Sequence, residues 1–561
     1  MAADTLMDTS IIDPITVEVI GNAIASIADE MGETLIRASH STNIKERRDC
    51  STVIFDAAGR TLYQAEHIPI HLGSLMGVVE AIVERHDVAT IAEDDMFIGN
   101  DAYNGGGTHL PDIVLASPIF YDGQLVGWAT NLAHHADFVD RGHAHIFQEG
   151  LRIPPIRLQR AGETQKDILD LILLNCQVPD ERRADIRAQI AANRFGVKRF
   201  QALCDRYGVP LLSQVFDELL NYAERRMRAG ITAIPDGVYR FEDKFECDEL
   251  EETLTFRVKI EVRGDEIDLD FSNNPPQVRA GLNMVETALL ATVYYAVKTV
   301  TDPDAPPNAG LFRPINVVAE PGSILNAVSP AAVNGRTNTC QRVVDLVHGA
   351  LAQAVPDRII AACNGAVIAS TFSGINPRTG KFYVYLETLG GGFGARATKD
   401  GLDGVQAHIT NTSNLPIEGL EPEYPLRVER YELVRDSGGP GRWRGGMGLR
   451  RQIRVLDHDC RINVRGTRKT TAPWGLFGGH EGGRYSVQGS DGVAPLDKSE
   501  GQLSDGQSIS IVTPGAGGYG PPGQRDPELT ARDLREDRIS PQTVSEIYGL
   551  NPSDVDQADE D

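Results

Sequence analysis

The period of the hydrophobic pattern changes along this chain, and that change constrains the fold more than any other feature. Between residues 162 and 230, apolar residues recur at three- and four-residue steps, as in amphipathic helices. After Ile234-Pro-Asp-Gly237, the runs 238–246, 253–262 and 266–271 alternate and carry β-branched residues, which is typical of antiparallel strands. We therefore expect an α+β fold with mixed helices and antiparallel sheets, and we find no fixed-period repeat.

The length of 561 residues exceeds what one hydrophobic core supports, so the fold is expected to be multidomain. Beyond residue 420 the chain becomes rich in glycine and in strand-like runs. The predicted divisions are an N-terminal α+β region at residues 1–230, a central α+β domain at 231–420, a Gly-rich β region at 421–520 and a polar tail at 521–561. The tail has little apolar pattern and is expected to wrap a neighbour or to fray.

Local signals predict the individual elements. Asp13-Pro14 is expected to begin a long helix over residues 13–46, and further helices are predicted at 75–84, 184–200, 211–229, 285–301 and 341–353. Two hairpins are predicted, one at 51–64 around Asp56-Ala-Ala-Gly59 and one at 113–132 around Asp122-Gly123. C-terminal strands are predicted at 427–435, 449–455, 461–465 and 509–512.

Charge and composition exclude several classes of function. The formal net charge is −25 and Lys and Arg form no clusters, which argues against binding nucleic acid or an anionic membrane surface. The first residues lack a basic and apolar leader, and no run approaches the roughly 20 apolar residues of a membrane span. The seven cysteines are scattered without a Cys-x-x-Cys pair, so we expect a cytoplasmic protein with mostly buried thiols.

Residues 98–145 carry the strongest chemical signal. Nine of the 13 histidines lie in the first 145 residues, and His109 and Asp112 form a His-x-x-Asp pair directly behind three glycines. His134 follows at the end of the predicted hairpin, which returns the chain toward that pair. Imidazoles and carboxylates are ligands for zinc and manganese, so this region predicts a metal site. Alternation along the strand sends His134 and His135 to opposite faces, so one of the two is expected to be a ligand.

Spacing alone leaves open the roles of three polar residues outside this stretch. Asp49 follows two arginines where the first helix meets the first hairpin, and a carboxylate in that position is most often simply ion-paired. His67 and His71 have helix-like spacing, but Pro69 favours an extended segment on which both would share a face. We expect them to be pocket residues near the metal rather than its ligands.

The later glycine-rich runs do not form a nucleotide site. Gly390–Gly394 and Pro514–Gly520 match neither a phosphate-binding loop nor a dinucleotide fingerprint, so tight turns or close backbone packing explain them better. The polar run Asn334–Gln341 opens a predicted helix, where its amides and Arg336 would face an anion. N-capping by Asn338 or Thr339 is the favoured interpretation of that run.

Several motifs together resemble the hydantoinase B/oxoprolinase family over residues 12 to 550. They are Asn100-Asp-Ala-Tyr-Asn-Gly-Gly-Gly-Thr-His-Leu-Pro-Asp112, Glu66-His-Ile-Pro-Ile-His-Leu-Gly73, Gln148-Glu-Gly-Leu-Arg-Ile-Pro-Pro155, His408-Ile-Thr-Asn-Thr-Ser-Asn414, Gly445-Gly-Met-Gly448 and Thr513-Pro-Gly-Ala-Gly-Gly-Tyr-Gly520. In the first motif, Ala102 stands where the family is expected to have proline. Alanine would stiffen the loop less than proline, but the difference removes no ligand.

The resemblance implies a metal-binding subunit that works with a hydantoinase A-type partner of the actin-like ATPase fold. ATP and Mg would bind to that partner, in a heterotetramer or larger assembly. Zinc, with manganese as the alternative, would be held here by Asp49, His109, Asp112 and His134. His135 or His71 would transfer protons.

The function expected from the resemblance is ATP-dependent hydrolysis of a cyclic amide such as a hydantoin, a lactam or oxoproline. The alternative is a subunit of an ATP-dependent ketone carboxylase of the acetone or acetophenone type, although the compact length favours the hydrolase. A third possibility, from a different class, is a non-catalytic subunit whose polar cluster only supports the fold.

Overall fold

The computed structural model describes residues 12–65, 67–137, 139–140, 142–494, 496 and 499–553. Within them the helices are α1 (Pro14–Ala38), α2 (Thr42–Lys45), α3 (His71–Ser74), α4 (Val78–Arg85), α5 (Lys166–Leu174), α6 (Pro179–Tyr207), α7 (Val209–Thr232), α8 (Glu286–Thr301), α9 (Arg336–Leu351), α10 (Ile417–Glu423), α11 (Pro527–Arg535) and α12 (Pro541–Glu546). Across these described ranges, no helix is long and apolar enough to cross a membrane.

The strands form one seven-stranded sheet and three four-stranded sheets. They are β1 (Cys50–Asp56), β2 (Thr61–Gln64), β3 (Met96–Gly99), β4 (Asp112–Tyr121), β5 (Gln124–His134), β6 (Ile156–Arg160), β7 (Glu163–Thr164), β8 (Gly237–Phe245), β9 (Leu254–Arg263), β10 (Glu266–Asp270), β11 (Ile315–Val318), β12 (Ile368–Ile375), β13 (Phe382–Leu389), β14 (Leu426–Leu433), β15 (Leu449–Val455), β16 (Cys460–Arg465), β17 (Ser486–Gly489), β18 (Glu500–Leu503) and β19 (Ser508–Val512). The predicted α+β class is confirmed.

The N-terminal sheet is antiparallel, with the strand order β2-β1-β5-β4-β3-β6-β7. Its two faces are covered differently because side chains alternate along each strand. Ile54 packs with α1, α6 and α7, whereas Val53 and Phe55 pack with α4. Both predicted hairpins are confirmed in this sheet, as β1–β2 and β4–β5.

The central sheet has the order β11-β10-β9-β8, in which only the β10–β11 pair is parallel. Its apolar face packs with α8 and α9 in the largest core cluster. The remaining two sheets, β13-β12-β16-β18 and β14-β15-β19-β17, pack face to face through residues such as Phe372, Ile462 and Ile509. Since β12 and β13 precede residue 420 and pair with β16, this sandwich spans the predicted domain boundary, and the domain division itself stays a prediction.

Several predicted helix bounds are wrong. The helix predicted at 184–200 spans Pro179–Tyr207, and the helix predicted at 211–229 spans Val209–Thr232. The first helix ends at Ala38 rather than residue 46, because the backbone N–H groups of His40 and Ser41 turn away to donate to Asp185 Oδ1. The helix predicted at 75–84 begins at Val78. The helix predicted from residue 341 begins five residues earlier, at Arg336.

The polar tail is not frayed over its described part. Helices α11 and α12 pack through Ala531, Ile539, Val544 and Tyr548, and buried Arg525 binds Asp533 with an Nη2–Oδ2 distance of 2.6 Å. The apolar cluster is small and its residues are spread over two short helices and their flanking turns, so the sequence shows little apolar periodicity here. The part of the prediction that concerns residues 554–561 lies outside the described residues.

The glycine runs serve close backbone packing, as predicted. A Cβ on Gly392 would lie 2.1 Å from the carbonyl oxygen of Gly446, and one on Gly517 would lie 1.9 Å from that of Trp474. Only glycine allows these segments to approach so closely.

Candidate metal centre and its cavity

Three of the predicted ligands converge at one end of the N-terminal sheet. His109, Asp112 and His134 are buried, and one potential ligand atom from each lies within 4.8 Å of the others. Asp112 and His134 are direct partners across β4 and β5, and both extend from the sheet face that carries α4. His109 precedes β4, and its carbonyl accepts from Asp112 N–H at 3.2 Å, which folds the loop back over the strand end.

Asp49 occupies the same row one strand further along. It immediately precedes β1, and its carbonyl accepts from His134 N–H at 3.0 Å, so Asp49, His134 and Asp112 are neighbours across three adjacent strands. Its side chain lines the same cavity, although it lies outside the compact group of three. This placement suits the fourth ligand that the family resemblance implies.

His109 Nε2 and Asp112 Oδ1 face each other 3.1 Å apart in the cluster, and no other group of the described residues pairs with either atom. Asp112 Oδ2 instead accepts from Arg336 Nη2 at 3.1 Å. This pair is the observation that tests a metal against these residues, because a divalent cation would take both atoms as ligands in place of their mutual contact. The donor set therefore fits zinc or manganese.

The other ring nitrogens are held by the surrounding protein. His109 Nδ1 lies 3.1 Å from the carbonyl oxygen of Asn334, a contact typical of a metal-binding imidazole. His134 Nδ1 lies 3.0 Å from Asn43 Nδ2, which also donates to the His134 carbonyl at 2.7 Å. These contacts fix the orientation of both rings.

Burial sets the charge state of the site. It lowers the pKa of His109 and that of His134, so both imidazoles are neutral at neutral pH, the form that binds metals. Burial raises the pKa of Asp49. Burial acts the same way on Asp112, but His109 and Arg336 outweigh it and hold that pKa well below its usual range.

The two histidines proposed for proton transfer lie in different places. His71 lines the cavity beside the cluster, and its Nδ1 lies 2.8 Å from Ser51 Oγ. It begins the short helix α3, so the extended segment predicted there is wrong; His67 instead lies against Gly32 of α1. Pro69 precedes α3 rather than interrupting it.

His135 lies on the opposite face of the sheet, as the alternation predicted. Its Nε2 lies 3.1 Å from Gln189 Oε1 of α6, and it lines a separate cavity with Asp137 and Arg182. Asp137 is bound to Arg182 there, with an Oδ2–Nε distance of 3.3 Å. The structure therefore does not bring His135 to the cluster.

Sequence reasoning missed the role of the segment that begins α9. Arg336 binds both Asp112 and Thr108, the latter with an Nε–Oγ1 distance of 2.8 Å. The two predicted N-cap residues bind other groups instead. Asn338 Oδ1 accepts from Val367 N–H, and Thr339 donates to the Leu282 carbonyl. The N-cap position is Gly335, which makes no side-chain hydrogen bond to the helix. The expectation that Asn338 or Thr339 caps the helix is therefore wrong.

The cavity extends from the cluster to the C-terminal sandwich. The empty space around its lining residues, counted together with the open solvent at its mouth, is about 760 Å³. Beyond the metal-site residues, apolar side chains and hydroxyls line it, among them Ile68, Ile70, Val139, Leu386 and five threonines.

A second buried group, Asp345, Cys363 and His408, also brings metal-type ligands together within the described residues. His408 Nε2 lies 2.9 Å from Asp345 Oδ1, and Arg468 Nη2 donates to Asp345 Oδ2 at 3.0 Å. Burial lowers the pKa of His408, but Cys363 and Asp345 outweigh it and raise that pKa to about 10. The group acts as an ion network that holds α9 against the segments around residues 363 and 408.

Comparison with known proteins gives consistent matches over the whole fold. The family model described as hydantoinase B/oxoprolinase matches residues 13–522. A protein of Pseudomonas sp. (strain NS671), named as the putative B subunit of a D-/L-hydantoinase, is 32% identical over 587 residues, which cover 98% of this chain and 97% of that protein. The crystal structure of ATP-dependent caprolactamase from Pseudomonas jessenii superposes with a TM-score of 0.89 at 30% identity, covering 97% of each chain.

A nucleotide-free structure of acetone carboxylase also superposes, with a TM-score of 0.88 over 96% of this chain and 79% of that chain. The identity is 19%, so this likeness concerns the fold alone.

Proposed function

Because this chain belongs to the hydantoinase B/oxoprolinase family, we propose that it is the metal-bearing subunit of an ATP-dependent enzyme that hydrolyses cyclic amides. Two relatives that align over nearly their whole length are named as the B subunit of a hydantoinase and the beta subunit of a caprolactamase. The observation that carries the proposal is the convergence of three buried side chains, His109, Asp112 and His134, whose potential ligand atoms lie within 4.8 Å of one another beside a cavity that opens to solvent.

The proposed ligands are Asp49, His109, Asp112 and His134, with zinc as the favoured ion and manganese as the alternative. When bound, such an ion would polarise a carbonyl and activate water at neutral pH. The protein holds the ligands in place through Asn43, Asn334 and Arg336. Apolar residues at the cavity wall would exclude water from the ring of the substrate.

His71 is the proposed proton-transfer residue of this cavity. Ser51 fixes its Nδ1 at 2.8 Å, which orients the ring toward the carboxylates of the site. Burial lowers its pKa, so the imidazole is neutral and able to accept a proton at neutral pH. His135 is not retained in this role, because it faces α6 on the other side of the sheet.

The amide itself is resonance-stabilised, so its hydrolysis needs activation. We propose that a hydantoinase A-type partner, which would bind ATP and Mg, transfers the terminal phosphoryl group of ATP to the amide oxygen. Water then adds to the activated carbon, the ring C–N bond breaks as the nitrogen takes up a proton, and a second water hydrolyses the resulting acyl phosphate to carboxylate and phosphate. The names of the two relatives, each a subunit of an enzyme, support a partner chain. The absence of phosphate-loop motifs from this sequence is consistent with ATP binding on another chain.

The test is ATP-dependent turnover by this chain reconstituted with its partner. A panel of hydantoins, lactams and 5-oxoproline is compared with acetone and acetophenone, each with and without bicarbonate. The proposal expects ring opening that needs ATP and does not need bicarbonate. Turnover of ketones that needs bicarbonate, without turnover of any cyclic amide, would instead support the carboxylase alternative.

A further inference from the structure

One wall of the cavity is formed by strands β13, β12 and β16 of the C-terminal sandwich. Two rows of side chains cross it, each with one residue from β13, β12 and β16 in register. The rows are Leu386, Thr371 and Asn463, and Thr388, Ala369 and Arg465. Neighbouring positions along β12 instead face the sandwich core, so the strand period fixes which residues face the cavity.

The hydroxyls of this wall already have partners. Thr371 Oγ1 donates to the Val139 carbonyl at 3.2 Å, and Thr388 Oγ1 lies 2.8 Å from Thr412 Oγ1. The two wall residues from β16 differ from these threonines, because each has a donor without a partner. Asn463 Nδ2 and Arg465 Nη2 are buried and make no hydrogen bond, and the Arg465 side chain is only 6% exposed.

Arg465 is otherwise held firmly. Its Nε donates to Glu249 Oε1 at 2.6 Å, so the guanidinium is charge-balanced and its orientation is fixed. Two desolvated N–H donors without an acceptor cost free energy in the empty protein. An oxygen of a bound ligand would remove that cost. Apolar residues that line the same cavity, such as Leu386 and Val139, would contact the carbon atoms of a ring.

We propose that Asn463 and Arg465 form a subsite for a second oxygen of the substrate, distinct from the amide that is opened. This inference rests on the proposed function and narrows it to cyclic amides with another carbonyl, as in hydantoins and imides, or with a carboxylate, as in 5-oxoproline. Plain lactams leave both donors unpaired and are poor ligands. The two residues act in recognition and touch no reacting atom.

The experiment compares two matched pairs of ligands on the full chain assembled with its partner. 5-Oxoproline differs from 2-pyrrolidinone by its carboxylate, and hydantoin differs from 2-imidazolidinone by its second carbonyl. Binding is measured by calorimetry and kcat/KM by ring opening. A preference within the first pair assigns the subsite to a carboxylate, and a preference within the second assigns it to a carbonyl. We expect at least one preference of roughly ten- to a hundredfold.

The variants are Asn463→Leu and the double change Arg465→Met with Glu249→Gln, which removes the buried ion pair as a unit and avoids an unpaired carboxylate. Each is expected to reduce the preference by about tenfold. Arg461→Gln is the control, because Arg461 lies on the same strand but is exposed and binds Glu500. It should keep the wild-type preference.

The inference is overturned if the wild-type protein binds both members of each pair equally, or if the variants keep the wild-type preference. A complex that opens plain lactams as well as their oxygen-bearing counterparts would support the proposed function and overturn the subsite. A complex that binds the oxygen-bearing members selectively but opens no ring would support the subsite and overturn the proposed function.

Discussion

Glu149 links the loop before α9 to the metal site, and its replacement by glutamine should change how stability depends on pH. Its Oε1 accepts from Val333 N–H at 2.7 Å and from Asn334 N–H at 2.8 Å, while Oε2 is buried without a partner. Asn334 in turn positions His109. Burial raises the pKa of Glu149 from its ordinary 4.5 to about 7, although these two N–H groups lower it in part.

The direction in which stability changes with pH follows from proton binding. With a raised pKa, the folded protein binds the Glu149 proton more tightly than the unfolded chain, so stability falls as the pH rises from 4.5 through 7. At about 1.4 kcal/mol for each factor of ten in proton affinity, the loss reaches about 3 kcal/mol above pH 7. Glu149→Gln keeps the acceptor oxygen and cannot ionise. It should unfold like the wild type at pH 4.5 but be more stable by about 3 kcal/mol at pH 8.

The assay is urea unfolding of both proteins at pH 4.5 and pH 8 with the same metal loading, so that shared effects of pH cancel in the difference. Glu163→Gln serves as the control because Glu163 is exposed on β7, and it should match the wild type at both pH values. The reasoning is refuted if Glu149→Gln shows the same stability difference at both pH values, or if it is the less stable protein at pH 8.

Three further predictions concern the site and the second buried network. Asp49→Asn should weaken zinc binding more than roughly tenfold in a chelator competition, and unchanged affinity would remove Asp49 from the ligand set. Asn43→Ala should lower zinc affinity by roughly ten- to a hundredfold, because His134 loses the amide that fixes its ring; retained affinity would show that this contact does not orient it. Since the pKa of His408 is raised from 6.5 to about 10, its contribution to stability is full below pH 6.5 and is lost as the pH rises through 10. His408→Asn should therefore flatten the alkaline loss of stability seen in urea titrations, and an equal loss in both proteins would contradict the assignment.

Local patterns predicted much of the fold and the centre of the site. The turn signals gave both N-terminal hairpins, and the position of His134 at the end of β5 put it beside Asp112. The alternation along that strand correctly separated His134 from His135. These features depend on residues close together in sequence, where spacing and strand period determine geometry.

Contacts between distant segments could not be predicted in this way. Arg336 lies 224 residues from Asp112, and spacing carries no information about which loop a helix will face. The cavity wall from β12, β13 and β16 was missed for the same reason. The alternation of Ala369 and Thr371 between buried neighbours would have been the available signal. The end of α1 at Ala38 depends on Asp185, which is equally remote.

The central claim is that this chain carries a metal centre at His109, Asp112 and His134. Its most direct test is the metal content of the purified protein, measured by elemental analysis beside that of His109→Ala. The account predicts a stoichiometric amount of zinc or manganese in the wild type and its loss from the variant, with the variant still folded by circular dichroism. Wild-type protein without a bound divalent metal, or a variant that retains the full amount, would contradict it.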